Sequence, residues 1–191
     1  MLYLKKYLKG SIMRKLLLSS IVAITCYSTT IHAADPSLYP QSISILGGYT
    51  IFSQESKLDN NHAYSFRFTD NNFGIDNFGI SALQIALDYT PGVPYKGSEE
   101  TTSSIKLGPN LLWYMQNSSE FTPYLLLGAG LEHISNPIGY NTIDLYANGG
   151  VGVEYQLRND IALVGEAKYT YSEPTRKGTT ASMGLKFSFG E

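Results

Sequence analysis

The sequence has little charge and no long hydrophobic run. Of its 191 residues, 16% are charged and 43% are hydrophobic. This balance excludes an intrinsically disordered chain, which would be more charged and less hydrophobic. No apolar stretch reaches the roughly 20 residues that a spanning helix needs, which excludes a protein of several transmembrane helices. Glycine and tyrosine are abundant, and tyrosine favours β-structure, so the size suits one domain or one small barrel.

The single cysteine, Cys26, lies in an N-terminal segment with the layout of a secretory signal peptide. Five cations precede the apolar run 16–26, and small residues then lead to Ala33 and Ala34, where cleavage is expected. An uncleaved anchor is disfavoured because the run is too short to span a bilayer. We predict a signal peptide over residues 1–34, with Met13 as a possible true start, and a barrel domain over residues 35–191. The mature chain would then contain no disulfide.

Loss of the signal peptide makes the chain more acidic. Residues 1–34 contain five of the 14 Lys and Arg residues and no acid, which leaves nine cations against 16 Asp and Glu, a net charge of −7. Nucleic acid is a poor partner for such a chain.

The rest of the sequence alternates apolar and polar residues in short runs. Clusters of Asn, Gly, Pro, Ser and Asp separate these runs, as turns do in an antiparallel sheet. The pattern predicts eight strands, near residues 43–52, 62–69, 79–89, 102–115, 122–133, 142–157, 161–171 and 180–189.

Each predicted strand has one apolar face and one polar face. Such a sheet is either a soluble, lipocalin-like barrel with its apolar face inside or a membrane barrel with its apolar face toward lipid. Nine charged residues fall in the strands, and each has the parity opposite to the apolar set of its strand. These residues are Arg67, Asp88, Lys106, Glu132, Asp144, Glu154, Glu166, Lys168 and Lys186.

Three features favour the membrane barrel. The polar parity also contains small residues, as a narrow interior requires, namely Gly108, Gly128, Gly130, Gly150, Gly152 and Gly184. The five acids and four bases among the strand charges can neutralise one another inside a lumen. Aromatic residues collect at the strand ends, as in interfacial girdles. One rim has Trp113, Phe121, Tyr124, Tyr155, Phe187 and Phe189, and the other has Tyr49, Phe52, Tyr64, Tyr89, Tyr169 and Tyr171.

We therefore predict an all-β fold, an eight-stranded antiparallel up-and-down transmembrane β-barrel. Eight strands put both termini on one side. The longer links 53–61, 90–101, 134–141 and 172–178 would face outward, and the link 70–78 is longer than a periplasmic turn should be.

The last strand resembles the C-terminal assembly signal of bacterial outer-membrane barrels, with Gly184 followed by Phe187 and Phe189, although Gly190 and Glu191 follow the final Phe. Together with the segments 122–130 and 150–155, it resembles the small eight-stranded outer-membrane barrels of the OmpA/OmpX type over about residues 40–191. The resemblance implies an outer-membrane location, contact with lipid and lipopolysaccharide, and recognition of the last strand by the barrel-assembly machinery. It says little about activity, since the family has structural, adhesive and narrow-channel members.

One catalytic alternative is a dyad at the outer end of the fifth strand. His133 and Ser135 share a strand face, so the imidazole could activate the hydroxyl if an acid oriented the ring. The sequence resembles the motif of outer-membrane lipid A deacylases. In that family the motif lies on the penultimate strand, whereas three predicted strands follow it here. Asp144, the nearest acid in sequence, has lumen parity and would point away.

The interior charges leave two alternatives, a narrow porin-like channel or a plug of paired side chains. Eight strands enclose a space that side chains nearly fill, which favours the plug. No metal site or cofactor is expected, because the mature chain would contain only His62 and His133 and no cysteine. We expect a non-enzymatic envelope protein with a structural or surface-interaction role, in which the outer loops contact an unidentified extracellular ligand.

Overall fold

The computed structural model describes residues 40–73, 81–115, 120–135, 142–173 and 176–190. The predicted signal peptide lies outside these ranges. Eight strands form a closed barrel in which each strand pairs antiparallel with the next and the last pairs with the first, as predicted. The strands are β1 (Gln41–Phe52), β2 (Asn61–Asp70), β3 (Ala82–Pro94), β4 (Thr101–Tyr114), β5 (Phe121–Ser135), β6 (Thr142–Arg158), β7 (Ile161–Ser172) and β8 (Arg176–Phe189).

Alternation decides which way each side chain faces. In β1, for example, Ile45 is 59% exposed on the outside whereas its neighbour Leu46 is 1% exposed inside. Because the sheet closes on itself, every strand of the described barrel has a partner on both sides. Within the described part of the chain, no helix is long and apolar enough to cross a bilayer.

Two strands differ from their predicted bounds by more than two residues. β3 ends at Pro94 rather than at residue 89, with a shift in its pairing to β4 between Thr90 and Val93. Gly92, whose φ of +49° lies in the left-handed region, is inside this irregular stretch. Such a bulge lets prolines continue a strand that they would otherwise end. β8 begins at Arg176, four residues before the predicted start.

The two ends of the barrel differ in their connections. We call the end that carries the connections after β1, β3, β5 and β7 the loop rim, and the opposite end, with the first residues of β1 and the last of β8, the terminal rim. At the loop rim a short 3-10 turn, Gln54–Ser56, follows β1. An antiparallel bridge joins Leu58 to Tyr95, so the first two loops of this rim contact each other. Much of the predicted link 70–78 lies outside the described residues.

Candidate functional site

The candidate site is the barrel lumen, because the structure places all nine predicted strand charges there, buried or half-buried. Eight of them form four ion pairs. The pairs are Arg67 with Glu166, Lys168 with Asp88, Lys106 with Glu132, and Lys186 with Glu154. Asp144 binds a further cation, Arg176, that the sequence analysis did not place in a strand.

The central pair joins opposite sides of the barrel. Arg67 on β2 is 1% exposed and contacts both carboxylate oxygens of Glu166 on β7, with Nη2 donating to Oε1 at 2.8 Å. The hydroxyl of Tyr124 donates to Glu166 at 2.9 Å. Arg67 Nε donates to the Oγ of Ser65, which in turn donates to Asp88 at 2.6 Å. The charges are therefore compensated by a continuous hydrogen-bond network, as burial requires.

Toward the loop rim, a second group of charges gathers around Glu132. Lys106 lies 2.9 Å from Glu132, and the Oγ of Ser104 donates to the same carboxylate at 2.5 Å. Arg176 Nη2 donates to Asp144 at 2.5 Å and to Glu132 at 3.3 Å. Arg176 has the same parity as Lys186, which faces the lumen. A prediction that started the eighth strand four residues earlier, at residue 176, would therefore have placed Arg176 in the lumen from the sequence.

Toward the terminal rim, polar and apolar side chains lie together in the lumen. Lys186 pairs with Glu154 at 2.8 Å, and the hydroxyl of Tyr114 donates to Glu154 at 2.8 Å. Beside this pair lies an apolar layer that the strict two-face interpretation did not predict. Its members are Leu46, Ala82, Leu112, Tyr114, Tyr124, Leu126 and Val164.

Two residues assigned to the aromatic girdles have inward positions instead, so those assignments were wrong. Tyr124 is 2% exposed and bonds to Glu166 in the lumen. Phe52 lines the lumen near the loop rim. Both have the parity of the inward residues on their own strands, so proximity to a strand end was the wrong criterion. The remaining girdle residues are exposed or half-exposed.

Glycines of the polar parity make room for large inward side chains. A Cβ at Gly152 on β6 would overlap the ring of Tyr124 on the neighbouring β5. A Cβ at Gly108 on β4 would lie 2.8 Å from the hydroxyl oxygen of Tyr146, whose ring reaches across from β6. A larger residue at either glycine would therefore press on an inward-facing tyrosine.

A cavity of about 550 Å³, including its open mouth, occupies the loop end of the lumen. Ion-paired side chains form part of its wall, among them Asp88, Lys106, Glu132, Lys168 and Arg176. Hydroxyl groups form much of the rest, from Thr50, Ser65, Thr90, Thr170, Ser172, Thr180 and Ser182. The loop rim therefore presents a polar concavity to the outside.

The structure places Asp144 away from the predicted catalytic dyad. His133 is half-buried and Ser135 exposed on the outer face of β5, at the loop rim. The carbonyl of Ser135 accepts a hydrogen bond from Thr102 at 2.8 Å. Asp144 faces the lumen, where Arg176 binds it. A charge-paired carboxylate on the other face of the sheet cannot orient the imidazole.

The residues of the predicted assembly signal lie in β8. Phe187 and Phe189 are exposed on the outside, and Gly184 faces inward, where a Cβ would overlap the backbone of β1 at Ile45. Across the described ranges, no group of three or more His, Cys, Asp and Glu residues is placed to hold a metal ion. His62 packs edge-on against Tyr49, with ring centroids 5.5 Å apart.

No protein-family model and no curated protein sequence matches this chain. Several solved structures are similar to it. The neisserial surface protein A (NspA) is 18% identical with a TM-score of 0.59, and the match covers 78% of this chain and 97% of NspA. The N-terminal β-barrel domain of Pseudomonas aeruginosa OprF is 14% identical with a TM-score of 0.52, covering 79% and 98% of the two chains. A major outer membrane protein from Thermus thermophilus is 9% identical with a TM-score of 0.53, covering 78% and 99%. The chain has the fold of the small eight-stranded outer-membrane β-barrels.

Proposed function

We propose that this chain is an integral outer-membrane barrel with a structural or surface-interaction role in the cell envelope. A cleaved signal peptide over residues 1–34 would export it, and the barrel would carry no enzymatic activity. The observation that carries the proposal is the combination of an apolar outer surface with a lumen that contains buried ion pairs.

The outer surface supports insertion in lipid. Large apolar side chains cover it on every strand. Ile143 is 70% exposed, and Leu145 and Met183 are exposed to a similar extent. Soluble monomers rarely expose contiguous apolar surface of this extent. A soluble carrier would place its apolar face inside, whereas this lumen holds ion pairs. Outward aromatics mark both rims, such as Phe121 stacked on Tyr155 at the terminal rim, with centroids 4.6 Å apart.

Membrane fractionation with a gel-mobility assay tests this location. We expect the mature chain in the outer-membrane fraction, and we expect the folded barrel to migrate differently from the heated one on a denaturing gel. Recovery in the soluble periplasmic fraction without detergent would contradict the proposal.

The closed lumen favours a plug over a channel. The Arg67–Glu166 pair with Tyr124 crosses the centre, and the apolar layer with the Lys186–Glu154 pair lies beyond it. Purified protein in planar bilayers is expected to give no discrete conductance events. Regular single-channel steps would support the narrow channel instead.

The loop rim is the surface offered to partners outside the cell, and the outer face is offered to lipid and lipopolysaccharide. We further propose that the barrel-assembly machinery recognises β8 through Phe187 and Phe189. A Phe189→Ala variant is expected to accumulate unassembled, in the heat-insensitive form, whereas Phe121→Ala at the same rim is expected to assemble normally.

An assay for lipid A deacylation tests whether His133 and Ser135 form a catalytic dyad. Wild-type protein incubated with lipopolysaccharide is expected to release no acyl chain. Release that a Ser135→Ala substitution abolishes would establish the hydrolase and end the non-enzymatic proposal.

A further inference from the structure

The cavity at the loop end of the lumen has a closed floor. Ser65 and Asp88 lie at its inner end, and the Arg67–Glu166 pair lies directly beneath them in the same hydrogen-bond network. The strands around it belong to the closed barrel, in which each strand is hydrogen-bonded to its two neighbours. A ligand can therefore enter only from the loop rim, and it can bind in the cavity but cannot pass through.

The carboxylate oxygens of the cavity already accept hydrogen bonds. One oxygen of Asp88 accepts from Ser65 at 2.6 Å and the other from Lys168 at 2.5 Å. Glu132 accepts from Ser104 and Lys106 on one oxygen and from Arg176 on the other. Each oxygen thus already has at least one donor.

The cationic side chains of the cavity have unused hydrogen-bond donors. An ammonium has three N–H donors and a guanidinium has five. Lys168 directs one described hydrogen bond to Asp88. Among the described residues, the buried Nε of Arg176 has no hydrogen-bond partner. Hydroxyl groups of Thr170 and Ser182 add donors that can rotate toward a ligand.

We propose that this cavity is a binding site for one phosphate group. Lys106 on β4 donates to Ser104 and contacts Glu132, which leaves one N–H unused, and the other unused donors are on β7 and β8, so the donors approach the cavity from different sides. A tetrahedral phosphate, with oxygens in several directions, matches such donors better than a planar carboxylate, and Arg and Lys are its usual partners. The bound molecule is either inorganic phosphate or a small soluble phosphate monoester. A lipid phosphate cannot reach the cavity through the hydrogen-bonded wall.

Calorimetric titration of the refolded barrel in detergent micelles tests the site. The probes are inorganic phosphate, glucose 6-phosphate and, as the uncharged control, glucose. We expect saturable binding of inorganic phosphate with a stoichiometry near one and no heat from glucose. Tighter binding of glucose 6-phosphate than of inorganic phosphate would identify the ligand as a monoester, and binding of inorganic phosphate alone would identify it as the free ion. Absence of saturable binding up to about 10 mM of either phosphate would overturn the proposal.

Two variants separate the site from nonspecific attraction. Arg176→Gln removes the guanidinium charge together with its Nε donor. It should weaken phosphate binding about tenfold or more, because a charge-assisted hydrogen bond is lost. The matched control is Arg158→Gln at the terminal rim, where the side chain is 76% exposed, and it should bind like the wild type.

Ser182→Leu keeps every charge but fills part of the cavity, and it should also weaken binding. The gel-mobility assay verifies that each variant is folded. If folded Arg176→Gln and Ser182→Leu both bind phosphate as the wild type does, the cavity is not the site.

Discussion

Replacement of Arg67 by methionine should destabilise the barrel by leaving the Glu166 carboxylate buried without its main partner. The side chain of Glu166 is fully buried, and the hydroxyl of Tyr124 would remain as its described hydrogen-bond donor. Breaking a buried ion pair by removing one partner costs about 3–5 kcal/mol. The cation of Lys168 is close enough to favour a charged Glu166, which compensates part of the loss. We therefore expect a cost near the lower end, about 3 kcal/mol.

Urea unfolding of the refolded protein in lipid vesicles measures this cost. The sequence has one tryptophan, Trp113, half-buried on β4, whose fluorescence reports its transfer from lipid to water. Arg158→Met is the matched control. Because Arg158 is largely exposed and lies 3.9 Å from Asp160, the control should change the free energy of unfolding by less than about 0.5 kcal/mol.

A double variant, Arg67→Met with Glu166→Met, separates the unpaired charge from lost packing. Replacing both partners of a buried pair by apolar groups is often nearly neutral, so the double variant should recover most of the stability. The reasoning is refuted if Arg67→Met alone costs less than about 1 kcal/mol, or if the double variant is less stable than the single one.

Three further predictions rest on other parts of the barrel. Gly152→Ala should cost about 1–3 kcal/mol by overpacking against the Tyr124 ring, and should cost little in a Tyr124→Ala background, as measured by the same unfolding assay. Leu127→Arg places a charge on the outer face at mid-barrel and should destabilise the vesicle-inserted protein by about 2–4 kcal/mol. A hydrogen bond from Lys177 and its charge hold the pKa of the Glu55 carboxyl below its ordinary value. This ion pair therefore stabilises the folded protein at pH values above the ordinary pKa, and the stabilisation is lost as the pH falls through the lowered pKa. Lys177→Gln should raise the midpoint of the Glu55 titration measured by NMR.

Each of these has a result that would contradict it. Equal costs of Gly152→Ala with and without the Tyr124 ring would show that the ring is not the obstacle. An unchanged unfolding transition for Leu127→Arg would mean that this face does not meet lipid. A Glu55 midpoint that stays the same in Lys177→Gln would remove the ion pair as its cause.

The period-two pattern predicted the strand number, the strand faces and the inward position of all nine strand charges. It did so because side-chain direction along a strand is a local property of the backbone. It failed at Thr90–Pro94, where a bulge continues the strand through residues that usually form turns. It also failed at Tyr124 and Phe52, because closeness to a strand end does not determine which face a side chain occupies.

The sequence by itself determined that this chain is a two-faced sheet closing around charged residues, since alternation, glycine parity and charge parity all depend on neighbours in the chain. Only the tertiary structure decided which charges meet. Arg67 and Glu166 are 99 positions apart, and the register of all eight strands brings them together across the lumen. The pattern of one strand does not depend on that register. For the same reason, the loop-rim cavity, in which Arg176 Nε has no partner among the described residues, became visible only when barrel closure brought Arg176 of β8 to Glu132 and Asp144 across the lumen.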